Sequence, residues 1–150
     1  MRIIKILACC ASLLISEMAF SQSMWKYFSP EDFAARRKKV MEKIGDGVAV
    51  LVGAELPEAY IKFRQDNNFY YLTGVEIPDA VLILNGKNKE TTLLVPDYIP
   101  NDIKTEAIIK PGDDAAAEYK FSRVISKSGL TFLLNRYAYA GKTFYLQSAP

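Results

Sequence analysis

Residues 63–80 read FRQDNNFYYLTGVEIPDA: a polar run with Arg64, Gln65 and Asp66, then Phe69, Tyr70 and Tyr71, then Thr73-Gly74. Asp66, Asn67 and Asn68 are residue types that bond to nearby backbone amides and so favour a tight turn. Aromatic residues favour strands, so residues 69–72 are expected to form one. Phe69 and Tyr71 would then share one face and Tyr70 the other. Arg64 would pair with Asp66 or with another neighbouring carboxylate. A structural turn-and-strand and a binding patch are both open at this point.

Outward from this segment, the chain alternates helix and strand. Upstream, Ser29, Pro30, Glu31 and Asp32 open a helix, with a hydroxyl at the cap, proline in the first turn and acids at the positive end of the dipole. Phe33, Val40, Met41 and Ile44 give it one apolar stripe. Arg36, Arg37, Lys38 and Lys39 spread around that helix and are expected to be a solvated face rather than an anion site. Gly45-Asp46-Gly47 ends it, and the apolar run VAVLV at 48–52 suits a strand buried on both faces.

Downstream, residues 81–84 and 91–95 flank NGKNKE and predict a hairpin. Residues 101–109, 113–120 and 130–137 predict helices, and 123–125 and 143–146 short strands. The order implies an α/β fold with a mixed β-sheet flanked by helices. The sequence ends just after its last strand, with no helix or polar tail following, so a domain truncated at its C-terminal end is expected.

Composition narrows the function classes. Half of the 150 residues are hydrophobic and 24% are charged, which marks a globular chain rather than a disordered one. A net charge of +2 argues for neither nucleic acid nor an anionic membrane as partner. Residues 1–21 have a basic start at Arg2 and Lys5, a short apolar run and Ala19-Phe20-Ser21, which predicts a secretory signal cleaved before Gln22. The product is expected to be exported, periplasmic or secreted, with no membrane segment after cleavage. Cys9 and Cys10 both lie in that signal, so the mature chain, residues 22–150, has no disulfide framework.

The chain has no histidine, so Ser-His and Cys-His nucleophilic pairs and a His/Cys zinc site are excluded from it. Gly45 and Gly47 follow a helix instead of preceding one, which makes a turn and not a phosphate loop. Asp113 and Asp114 stand at a predicted helix start, where capping accounts for them ahead of magnesium or manganese binding. No catalytic residue, metal ligand or cofactor is assigned to this chain.

The stretch 63–74, followed by Pro78-Asp79-Ala80 and an apolar strand, resembles the N-terminal domain of aminopeptidase P. Phe33, Arg36-Arg37, Met41, Gly47 and the strand to Val52 fit that family in the same order, and the likeness runs from about Ser29 to the end. The resemblance implies a ribonuclease-H-like α/β domain of an Xaa-Pro aminopeptidase, related to prolidase and creatinase. It also implies a separate C-terminal pita-bread catalytic domain holding two divalent metals, usually manganese, where a metal-bound hydroxide would attack the carbonyl before proline.

On that resemblance the domain supports homo-oligomer assembly and the wall of the cleft that takes Xaa-Pro peptides. Arg64, Gln65, Asp66, Asn67, Phe69, Tyr70 and Tyr71 are its candidate contact with the catalytic domain or a neighbouring subunit. Some relatives carry an aromatic followed by Gly-Arg near residues 107–112, which this chain lacks, so no role is assigned there. The alternative is a stand-alone secreted module that binds a peptide or protein without catalysis.

Overall fold

A computed structural model describes residues 27–58, 61–97 and 109–147. The expected signal, the two cysteines and most of the expected helix over 101–109 lie outside those residues. Helix α1, Pro30–Lys43, begins as expected: Ser29 is its N-cap, and a capping box joins Ser29 to Asp32. The Asp32 carboxylate accepts from the Ser29 backbone N–H at 2.7 Å, and the Ser29 hydroxyl accepts from the Asp32 N–H at 3.3 Å.

Strand β1, Val48–Val52, leads to a short helix α2, Asn67–Thr73. The hairpin β2, Val81–Asn85, and β3, Glu90–Val95, follows in antiparallel register, pairing Val81 with Leu94 and Asn85 with Glu90. Helix α3, Asp113–Glu118, and strand β4, Arg123–Ser126, precede helix α4, Leu130–Tyr139, and strand β5, Phe144–Leu146. The five strands form one sheet in the order β4-β3-β2-β1-β5. β1, β2 and β3 run antiparallel to their neighbours in that hairpin series, whereas β4 joins β3 and β5 joins β1 in parallel.

Alternating side chains on the strands feed two cores. Ala49, Leu82, Leu84 and Leu93 point to the face covered by α1, α2 and α3, where Met41, Phe69, Leu72 and Phe121 meet them. Val48, Val50, Ile83 and Leu94 point to the face covered by α4 through Leu133 and Tyr137. The result is a mixed five-stranded sheet between helical layers. Its central strand is β2, buried along its whole length, rather than β1, whose last residue Val52 is half exposed.

The expected strand over 69–72 is instead the helix α2, and local chemistry explains the correction. Asp66 caps it by accepting from the Phe69 N–H at 2.8 Å, and Gly74 closes it in the left-handed region at φ 67°. Phe69, Leu72 and Thr73 then fall on one buried face at helical spacing, and the Thr73 hydroxyl donates to the Phe69 carbonyl at 2.8 Å. A cap at each end and a buried face outweigh the strand preference of three aromatics.

Candidate functional site

Helix α2 is the part of the sequence motif that meets solvent, and the residues around it sort by burial. Arg64, Asn67 and Tyr71 are exposed, with Asp66 and Tyr70 half-buried beside them. Gln65 and Phe69 are buried, so they support the surface from beneath and do not form it. The expected pairing of Arg64 is absent: it forms no ion pair among the described residues, and Asp66 serves as the helix cap.

Gln65 ties three segments together. Its Oε1 accepts from the Ala54 N–H at 2.7 Å and the Asp66 N–H at 2.9 Å. Its Nε2 donates to the Ile77 carbonyl at 2.9 Å and the Val75 carbonyl at 3.3 Å. One buried amide thus satisfies backbone groups before and after α2, which sets the angle at which the helix leaves the core.

Two arginines of α1 complete the support, and one of them corrects the expected solvated face. The Arg36 guanidinium lies 4.4 Å from the Phe28 ring centroid, 4.9 Å from Phe33 and 4.4 Å from Tyr71, and Nη1 donates to the Tyr71 carbonyl at 3.0 Å. Arg37 is fully buried. Its Nη1 donates to the Leu72 carbonyl at 2.9 Å, while Nη2 donates to the carbonyls of Lys120 at 2.6 Å and Tyr119 at 3.2 Å.

Those acceptors are at the C-terminal ends of α2 and α3, where helix carbonyls lack partners and a cation is favoured. The Phe121 ring lies 4.1 Å from the Arg37 guanidinium carbon. Burial lowers the Arg37 pKa to about 10, so the group is still charged at neutral pH. The signal for this residue was in the spacing: Phe33, Arg37 and Met41 recur every fourth residue and are the buried residues of α1.

An open groove of about 430 Å³ runs beside α2, between Val40 and Ile44 of α1, Tyr71 and Leu72 of α2, and Tyr145 and Leu146 of β5. Among the described residues that line it, none is charged. A larger hollow, about 670 Å³, lies on residues 109–119. There Gly112, not an aspartate, occupies the N-cap of α3, and Asp113 and Asp114 follow in the first turn without a side-chain cap bond. The expected capping by those two carboxylates is therefore corrected to a place near the helix dipole. Among the described residues no group of three or more His, Cys, Asp or Glu is placed to hold a metal ion. Among those residues, too, no helix is long and apolar enough to cross a membrane.

The arrangement presents exposed aromatic and arginine side chains on a rigidly supported helix beside an uncharged groove, which suits contact with another polypeptide surface. Comparison with known proteins agrees in fold and in sequence. The family model described as "Aminopeptidase P, N-terminal domain" matches residues 33–145. A Coccidioides posadasii protein named as a probable Xaa-Pro aminopeptidase is 30% identical over 98 residues, which cover 62% of this chain and 21% of that protein.

The mitochondrial intermediate cleaving peptidase 55 of Arabidopsis thaliana is 26% identical over 126 residues, covering 79% of this chain and 25% of the relative. The structure of Icp55 from Saccharomyces cerevisiae superposes with a TM-score of 0.66 at 19% identity, over 82% of this chain and 30% of that one. Aminopeptidase P from Escherichia coli superposes with a TM-score of 0.60 at 20% identity, over 73% of this chain and 27% of that one. The matched region is thus only a fifth to a quarter of the length of these two curated relatives.

Proposed function

This chain belongs to the aminopeptidase P N-terminal domain family, and from that premise we propose that it is the non-catalytic scaffold of an Xaa-Pro aminopeptidase. The observation that carries the reading is the family match across 33–145, which contains α2 and its supports. In this reading a separate C-terminal portion of the polypeptide supplies two divalent metals, manganese in the first instance, and performs the hydrolysis before proline. The surface of Arg64, Asp66, Asn67, Tyr70 and Tyr71 contacts that portion or a neighbouring subunit of a homo-oligomer, with Gln65 and Phe69 holding it in shape. Export through the segment 1–21 places the enzyme in the periplasm or outside the cell.

The purified 150-residue chain, supplied with manganese, should release no N-terminal residue from an Xaa-Pro peptide. Turnover proportional to chain concentration would overturn the scaffold reading. Export is tested separately by N-terminal sequencing of the secreted product, which should begin at Gln22; a product retaining Met1 inside the cell would remove export and leave the scaffold reading standing.

A further inference from the structure

We propose that Asn85-Gly86, at the tip of the β2–β3 hairpin, is a latent self-modification site, a deamidation held off by contact with the turn after α1. Asn85 alone among the asparagines of the chain is followed by glycine. A glycine nitrogen is the least hindered attacker of the preceding side-chain amide, because no Cβ shields it. In the step, the Gly86 nitrogen gives its proton to hydroxide and bonds to the Asn85 Cγ. The Cγ–Nδ2 bond breaks, ammonia leaves with a proton taken from water, and a succinimide ring is closed. Water then opens either carbonyl of the ring, giving aspartate or isoaspartate at position 85.

Closing that ring needs Cγ and the Gly86 nitrogen to rotate toward each other, and the fold holds both. Asn85 is the last residue of β2 and is only 4% exposed. Its side-chain oxygen accepts from the Lys87 N–H at 3.1 Å and the Asn88 N–H at 3.3 Å, which fixes Cγ in the turn. The Gly86 N–H donates to the Gly47 carbonyl at 3.0 Å, so the attacking nitrogen is engaged and its peptide plane is pinned. Gly47 is held in its turn, its own N–H donating to the Ile44 carbonyl at 3.0 Å beside the end of α1. Lys89 Nζ donates to the Met41 carbonyl at 3.1 Å and ties the hairpin to the same helix end.

The fold cannot dispense with this glycine, because a Cβ at position 86 would collide with the Gly45 carbonyl oxygen. The close approach that requires a labile dipeptide therefore also protects it. Reaction follows only when the tip leaves the α1–β1 turn. Isoaspartate routes the main chain through the former side-chain carbons and inserts an extra methylene where position 85 pairs with Glu90 and Val48. A chain that has opened and reacted in this way cannot restore the original register at the end of its central strand.

Peptide mapping by mass spectrometry of the purified 150-residue chain, incubated in mildly alkaline buffer with and without urea, tests the chemistry and the lock together. In urea, Asn85 should deamidate ahead of every other asparagine. Without urea it should react about tenfold or more slowly, since only locally opened molecules can close the ring. Lys89→Met removes the tie to Met41 and should speed the reaction about threefold or more in buffer, in a chain that circular dichroism shows to be folded. In urea that variant should match wild type. Another asparagine reacting first in urea overturns the chemistry. Equal wild-type rates with and without urea overturn the lock, as does a folded Lys89→Met no faster than wild type in buffer, or a Lys89→Met faster than wild type in urea. Should Lys89→Met fail to fold, wild type alone decides: below the melt, hydrogen exchange at Gly86 and deamidation at Asn85 should rise together with temperature, and independent rates overturn the lock.

Discussion

The Arg37 guanidinium donates to the Leu72 carbonyl at 2.9 Å, linking α1 to the end of α2 across 35 residues of sequence. Its other terminal nitrogen serves α3 through Lys120 and Tyr119, so one buried cation closes two helix ends. Arg37→Met would preserve most of the apolar stem and leave three carbonyls without this donor. The expected loss is about 3 kcal/mol or more of folding stability, read from urea denaturation. Arg37→Lys should recover only part of it, because an ammonium cannot span both acceptors as a planar fork does.

The same residue shows where sequence reading stopped short. A run of four basic residues looks solvated on composition, and three-dimensional closure of two helix ends by one of them is a tertiary fact that no local rule contains. Its place in the Phe33–Arg37–Met41 stripe was nevertheless visible. For α2, both terminal signals were present in Asp66 and Gly74, and the strand preference of the aromatics masked them. The hairpin was legible because two largely apolar runs, 81–84 and 91–95, flank a stretch with turn chemistry at Asn85-Gly86. Residues 64–71 could be identified as a unit from their resemblance to a family, but the division between exposed Tyr71 and buried Gln65 depends on packing.

Gln65 tests whether the motif is held from beneath. Gln65→Glu keeps the size, removes both N–H donors and sets a carboxylate against the Val75 and Ile77 carbonyls. A cost on the order of 2–3 kcal/mol in denaturation experiments is expected, from two unsatisfied acceptors and a poorly placed charge. A melt equal to wild type would show that the loop reorganises without this amide.

Gly86 in the β2–β3 turn tests close backbone approach. A Cβ there would lie 2.2 Å from the Gly45 carbonyl oxygen and 3.0 Å from that of Met41. Neither acceptor is the flexible end of a side chain, so Gly86→Ala should separate the hairpin tip from the end of α1. A loss of about 1–3 kcal/mol is expected, with faster hydrogen exchange at Lys87 and Asn88, whose N–H groups donate to the Asn85 side chain.

The α1 cap gives a pH signature. Backbone and hydroxyl hydrogen bonds at Ser29 lower the Asp32 pKa below its ordinary 3.8. A depressed folded-state value means that the carboxylate's share of stability is complete above about pH 4 and disappears as acid brings the pH through the lowered value. Thermal melts of wild type and Asp32→Asn should therefore differ at pH 6 and converge toward pH 2. A difference that persists unchanged at pH 2 would assign the effect to geometry and not to charge.

Tyr71 and Phe69 lie two residues apart on α2 and should separate contact from support. Phe69 is fully buried, and Phe69→Ala is expected to cost about 3–5 kcal/mol of folding stability. Tyr71 is 57% exposed with its ring 4.4 Å from the Arg36 guanidinium carbon, so Tyr71→Ala should cost roughly 1 kcal/mol or less. If the exposed face of α2 meets the catalytic portion, Tyr71→Ala and Arg64→Ala should each weaken association by about 1–2 kcal/mol while leaving the melt nearly unchanged. Calorimetric titration of the chain with the separately produced catalytic portion of a relative reads that affinity, and thermal denaturation reads the fold. Equal affinity for wild type and both exposed-residue variants would move the contact off α2, whatever Phe69→Ala does, because a buried phenylalanine can impair binding through unfolding alone.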